Sequence, residues 1–259
     1  MNRLLFTLII ISSILLASTD TQIEEYLSVS TAEEELLVLE SQFSAMQNSF
    51  SDSNTQKDTY DMQMLSVRFK EHLQRSLSEN EMNEVLENYR DVLYLQFVST
   101  TMYSPEANET EAYLFKLQED ETATERMDIL EDISKALNNK ESMLVMFDEL
   151  MKPLLQNANG GADLDTKMME IRRERYMKSR IEDARKETLY NLKDFSIEEL
   201  KNLLTIVKTS SVQREVKAVY AATAYALKEF FLSMASRYDI SKHDPSKSKQ
   251  TTKDTNNTK

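Results

Sequence analysis

The sequence predicts an all-α protein, a helical bundle built from two tandem copies of a three- to four-helix unit. Three observations carry this. In 259 residues there are only two Gly and three Pro, too few for the many tight turns of a sheet protein. Apolar residues recur at helical spacing through most of the chain. One helix-start device appears twice, 118 residues apart, as the positions below show.

The chain opens on Asn2 and Arg3, then the apolar run Leu4 to Leu16, then Ala17, Ser18 and Thr19. That is the pattern of a secretory leader, and the run is too short to span a bilayer. Residues 1–18 are therefore expected to be a signal peptide, cut near Ala17 or Ser18, with Leu at the third position before either bond. No stable membrane span is expected once it is removed. There is no Cys, which excludes disulfides, Cys-ligated metals and a Cys nucleophile. Export without Cys leans toward a bacterial periplasm.

The first helix is expected to begin at Ser30 or Thr31, each with a Glu three residues on, and to carry Leu36, Leu39, Phe43, Met46 and Phe50 on one face. Ser51 to Thr55 is a polar loop. Met62, Leu65, Phe69, Leu73 and Leu77 stripe a second helix. Met82, Leu86, Tyr89, Leu93 and Phe97 stripe a third. Ser104-Pro105 should cap a connecting helix that ends near Asp120. Another helix follows from Thr124 to Leu137, broken at Asn138-Asn139-Lys140. The next carries Met143, Met146, Phe147, Leu150 and Leu154, and Pro153 should kink or shorten it. Gly160-Gly161 marks the clearest turn. A long helix from about Leu164 to Leu192 leads to a last one that starts at Ser196 and carries Leu200, Leu203, Val207, Val216, Val219, Leu227, Phe230 and Met234. After Tyr238 the composition turns to Lys, Ser, Thr and Asn, as in a disordered tail.

The duplicated device is Leu77-Ser78-Glu79-Asn80-Glu81-Met82 against Phe195-Ser196-Ile197-Glu198-Glu199-Leu200. Ser78 and Ser196 are N-caps, Glu81 and Glu199 close capping boxes, and the flanking apolar pairs Leu77/Met82 and Phe195/Leu200 can form staples. The organisation expected is a signal peptide over 1–18, a first helical repeat over 21–103, a connecting helix over 104–121, a second repeat over 122–238 and a tail over 239–259.

The second copy resembles a bacterial periplasmic helical family, domain of unknown function 2059. Its helix start "Phe-(Ser/Thr)-x-x-Glu-Leu" is matched by Phe195 to Leu200. Its following "Phe-Tyr-x-Ser-Pro-x-Gly-Gln-Lys" aligns with Ile206 to Arg214. Gln213 is identical, Arg214 is conservative and Thr209 stands for Ser. Ser210 replaces the Pro and Val212 the Gly, which should remove the helix break found there in the family. The first copy keeps Leu77, Ser78, Glu81, Met82 and Tyr89. The resemblance implies an exported α-helical domain and no reaction.

No residue is assigned as catalytic, cofactor-binding or metal-ligating. His72 lies beside the Phe69/Leu73 stripe without metal-ligand spacing, and His243 lies in the tail. Glu33-Glu34-Glu35 and Glu119-Asp120-Glu121 lack the alternation of a calcium loop and read as solvated faces. The net charge of −13 repels phosphate backbones, so nucleic acid is not an expected partner. Arg172, Arg173, Arg175, Lys178, Arg180, Arg185 and Lys186 concentrate on one helix. Ion pairing with Glu170, Glu174, Glu182, Asp183 and Glu187 is the expectation, and docking to an anionic partner the alternative. Met143, Met146, Met151, Met168, Met169 and Met177 read as core, with a Met-lined groove as the alternative. The function expected is a non-enzymatic exported protein that binds another protein. The alternative is a carrier or sensor of a hydrophobic ligand held between helices.

Overall fold

The computed structural model describes residues 17–50, 60–101, 106–120, 123–158 and 165–237. Among them the fold is all-α. The helices are α1 (Asp20–Ser30), α2 (Ala32–Phe50), α3 (Gln63–Ser76), α4 (Glu79–Asn88), α5 (Val92–Thr101), α6 (Ala107–Glu119), α7 (Thr124–Leu137), α8 (Lys140–Met146), α9 (Lys152–Ala158), α10 (Thr166–Asn191), α11 (Ile197–Val207) and α12 (Ser210–Arg237). No described helix is long and apolar enough to cross a membrane.

Much of the apolar striping read from sequence lies in the core, while Leu39, Phe43, Leu93, Val216 and Val219 are only half buried. Leu65, Phe69, Leu73 and Leu77, then Met82 and Leu86, then Leu200, Leu203 and Val207 are all buried. One cluster runs from Ile23 and Leu27 through Leu73 and Val85 to Leu130, Leu189, Leu203 and Ala226, so both halves of the chain share a core. A second cluster of Leu65, Leu150, Leu227 and Phe230 fills the far end of α12. Within the shared core α12, which packs on α3 and α4, buries Val212, Ala218, Ala222 and Ala226. Small residues let helix backbones approach closely, which suits the helix that meets the most neighbours.

Several expectations are corrected. A helix, α1, precedes the predicted first one, and its cap is Thr19, whose hydroxyl accepts from the Gln22 amide in a complete capping box. Among the described residues the Thr31 hydroxyl has no hydrogen-bond partner, and the Ser30 hydroxyl accepts from the Ala32 amide and not from Glu33. Thr31 instead takes the left-handed conformation, φ 63°, and breaks the chain between α1 and α2. That conformation is costly for a β-branched residue, and here it sets the corner between two helices. The third stripe is two helices, because the chain turns at Tyr89 to Asp91 and the Asp91 carboxylate recaps α5 through the Leu93 and Tyr94 amides.

The last stripe is also two helices, broken at Lys208 and Thr209. The substitutions Ser210 and Val212 do not run the helix through. The Lys208 amide closes α11 on Leu204 and Ile206, and the Thr209 hydroxyl accepts from the Val212 amide to start α12. The irregularity expected at Pro153 falls just ahead of it. A π-helical turn over Phe147–Met151 widens the coil just before it, and α9 continues beyond. A wider turn relieves the clash of a Pro ring with the preceding carbonyls. The helix over Thr124–Leu137 has the predicted bounds, and Asn139 caps α8 through the Ser142 amide. Ser51 to Thr55, Ser104-Pro105, Gly160-Gly161, Glu121, His243, the tail and residues 1–16 lie outside the described residues.

Candidate functional site

Two features stand out, one inside the bundle and one on its surface. The inner one centres on Glu215 in the second turn of α12, which is 5% exposed. Its carboxylate accepts from three tyrosines. Tyr26 of α1 donates to Oε1 at 3.1 Å, Tyr94 of α5 donates to Oε2 at 3.2 Å, and Tyr89, at the end of α4, also donates to Oε1. The rings meet edge to face, with centroids 5.9 Å apart for Tyr26–Tyr89 and 5.2 Å for Tyr89–Tyr94. Neighbouring residues hold the same start of α12 in place. Ser211 bonds Asn88 at 3.0 Å, and Arg214 pairs with Glu84 and Glu81 of α4.

Burial pushes the Glu215 carboxyl up to about 7, against the three phenol hydrogen bonds that pull it down. Desolvation wins because three neutral donors do not replace the water that a charged carboxylate loses. The tyrosines are raised by burial first; Glu215 comes next for Tyr26 and Tyr94, and Tyr26 followed by Glu215 for Tyr89. The cluster therefore holds a proton that exchanges near neutral pH. One surface hollow, between α7 and the corner from α11 to α12, is lined by Asp132, Lys135, Ala136, Lys208 and Gln213, and a second, between α7 and α11, by Asp128, Ile129, Glu131, Asp132, Lys135 and Leu204; neither includes this cluster. What the arrangement does in the fold is tie α1, α4 and α5 to α12.

The surface feature is the first half of α10. From Thr166 to Glu187 only Met177 is buried. Met168, Ile171, Arg172, Arg175 and Lys178 are all exposed and follow one another at helical spacing along one face, with Met168 45% and Ile171 41% exposed. On the inner side Tyr176 packs on Phe147, with ring centroids 5.5 Å apart. The expected ion pairing is only partly formed. Arg185 pairs with Glu131 at 2.5 Å and with Glu182 at 3.4 Å, and Lys186 pairs with Glu182 at 4.0 Å. Arg172, Arg173, Arg175, Lys178 and Arg180 make no ion pair among the described residues. An exposed pair on a helix is worth only a few tenths of a kcal/mol, on the order of 0.3–0.5, so solvation of each partner easily wins.

The methionines split. Met143 and Met177 are buried core, Met146 packs on the second cluster, and Met168 faces solvent. His72 stacks on Tyr225 with centroids 4.9 Å apart, and burial lowers its pKa, helped by Arg75. Glu33, Glu34 and Glu35 are exposed in the first turn of α2, where a helix N-terminus favours anions. Among the described residues no group of carboxylates and imidazoles is arranged to hold a metal.

Both predicted capping boxes form. Ser78 accepts from the Glu81 amide and Ser196 from the Glu199 amide, each at 3.3 Å, while each Glu reaches back to the cap. The carbonyls just before these caps are also engaged at matching positions. Gln74 and Leu77 accept from the Ser18 hydroxyl and amide. Leu192 and Phe195, each 118 residues further on, accept from the Arg126 guanidinium at 2.9 and 2.6 Å.

Glu215 escaped the sequence reading. Its signal was a carboxylate placed in register with Val212, Ala218 and Ala222, on the alanine side of α12, while the stripe was traced through Val216 and Val219. The chain matches no known protein family, no curated protein and no solved structure.

Proposed function

We propose that this is an exported, non-enzymatic helical protein of the bacterial periplasm that docks on an acidic protein segment through the first half of α10. The observation that carries the reading is the exposed face of Met168, Ile171, Arg172, Arg175 and Lys178, whose cations have no internal partner among the described residues. Apolar contacts flanked by cations suit an amphipathic, acidic helix or strand better than a bare anion. The leader-like start of the chain and the resemblance to a periplasmic family support export. The alternative of a hydrophobic ligand gains no support from hollows lined by Asp132, Lys135 and Lys208.

We also read the chain as two copies of one unit, α1 to α5 and α7 to α12, joined by α6. In each, the first helix packs on the third long helix and on the capped helix: α1 on α3 and α4, α7 on α10 and α11. The matched capping boxes and the matched carbonyls at an offset of 118 support this.

The docking reading is tested by fluorescence anisotropy with a labelled acidic amphipathic peptide, using the wild-type protein and the variant R172E/R175E/K178E. Wild type should bind at low salt and weaken as salt rises, and the variant should lose about tenfold or more in affinity. Equal binding by both proteins would sink the proposal.

A further inference from the structure

The segment ahead of α1 is built into the fold. Ala17 is exposed and pairs with Ser78 in an isolated antiparallel bridge. The next residue, Ser18, is 1% exposed. Its amide donates to the Leu77 carbonyl at 3.0 Å and its hydroxyl to the Gln74 carbonyl at 3.3 Å. Thr19 caps α1, and the Gln22 side chain donates to the Glu79 carbonyl at 3.0 Å and to Asn83 at 2.7 Å. The strap from Ser18 to Gln22 thus closes the corner between α3 and α4.

The corresponding corner between α10 and α11 is closed by a cation. Arg126, in the first turn of α7, donates to the carbonyls of Phe195, Leu192 and Lys193 at 2.6, 2.9 and 2.6 Å. A positive charge is favoured there, since the carbonyls ending a helix carry its negative pole. At the first corner the equivalent donor is a neutral amide, that of Ser18.

We propose that the chain is cut between Ala17 and Ser18, and that the new ammonium of Ser18 caps α3 as the Arg126 guanidinium caps α10. This rests on the export reading above. A peptidase that cuts after a small residue adds water across the bond. The carbonyl carbon of Ala17 takes the oxygen and leaves as carboxylate, and the Ser18 nitrogen leaves as ammonium. That nitrogen keeps a proton directed at the Leu77 carbonyl and gains a charge. A cut one residue later would discard both Ser18 bonds and the buried hydroxyl. The structure thereby separates two bonds between which the sequence alone does not choose. Since Ser18 is buried, the cut precedes closure of this corner. A protease needs an extended substrate, so removal of the leader comes before completion of the fold.

The experiment expresses the full chain in bacteria, fractionates the cells and takes the intact mass of the chain in each fraction. The expected result is an exported protein that begins at Ser18. An exported protein that begins at Thr19 or later, or that stays uncut, overturns this inference alone. An uncut chain confined to the cytosol overturns the export reading and this inference with it. A second arm compares the melting of residues 18–259 with a free and with an acetylated N-terminus, the acetyl group standing for the Ala17 carbonyl. The free amine should melt about 2–4 °C higher. Equal melting overturns the capping role.

Discussion

The two longest helices, α10 and α12, treat charge in opposite ways. Along the first half of α10, Arg172, Arg175 and Lys178 stand in solvent and pair with nothing described, whereas α12 sinks one carboxylate, Glu215, into the core against three tyrosines. An exposed cation keeps its hydration, contributes almost nothing to stability and stays available to a partner. A buried carboxylate gives up its hydration, and only a ring of donors makes that tolerable. The contrast teaches that a charged residue has to be judged by what it loses on folding. On α10 the charges lose nothing and stand in solvent. On α12 the charge fixes four helices and makes their packing depend on pH.

The sharpest way to break this comparison is Glu215→Ala. It leaves three buried phenols without their acceptor and opens a small void. The expected loss is about 4 kcal/mol, read as a lower urea midpoint at unchanged slope. A loss under about 1 kcal/mol would mean the cluster is incidental.

The next effect is the pH dependence. Glu215 titrates near 7 in the folded protein against an ordinary 4.5, so the folded state holds the proton more tightly. Between those values the folded chain keeps a proton that the unfolded chain has released, and stability falls as pH rises through the window. The cost is fully present above about 7 and amounts to roughly 3 kcal/mol. Hydrogen bonds from the two Ser caps lower Glu81 and Glu199, and these contribute in the opposite sense, losing their stabilisation as pH falls below the usual carboxylate range. Urea melts of wild type and Glu215→Gln from pH 4.5 to 8 isolate the first effect. The difference between the two proteins should change by that amount across the window, with the Gln protein gaining on wild type as pH rises.

Smaller still are the caps. Ser78→Ala and Ser196→Ala should each cost about 1 kcal/mol, and by similar amounts, since both boxes have the same geometry. Thermal melts of the two variants check this. A large disparity would count against reading α4 and α11 as copies.

The helical class, the apolar stripes, both capping boxes and the bounds of α7 were legible in the sequence, because each depends on residues within a few positions of one another. The breaks at Tyr89–Asp91 and Lys208–Thr209 were not. The apolar stripes run unbroken across them, and only the side chains of Asp91 and Thr209, which can cap as readily as they can continue a helix, decide the turn. Glu215 was hidden for a related reason. The buried side of α12 is made of alanines, which a search for large apolar residues passes over. Its partners Tyr26, Tyr89 and Tyr94 are more than a hundred residues away. The free cations of α10 were visible, yet their expected pairing with Glu170 and Glu174 was wrong. Sequence spacing permits such a pair without making it outcompete water.

The most direct test follows amide hydrogen exchange of the full chain while the acidic amphipathic peptide is added. The contrast between the two helices predicts new protection over Thr166–Lys178 and none around Glu215. Protection that leaves the first half of α10 unchanged would contradict it.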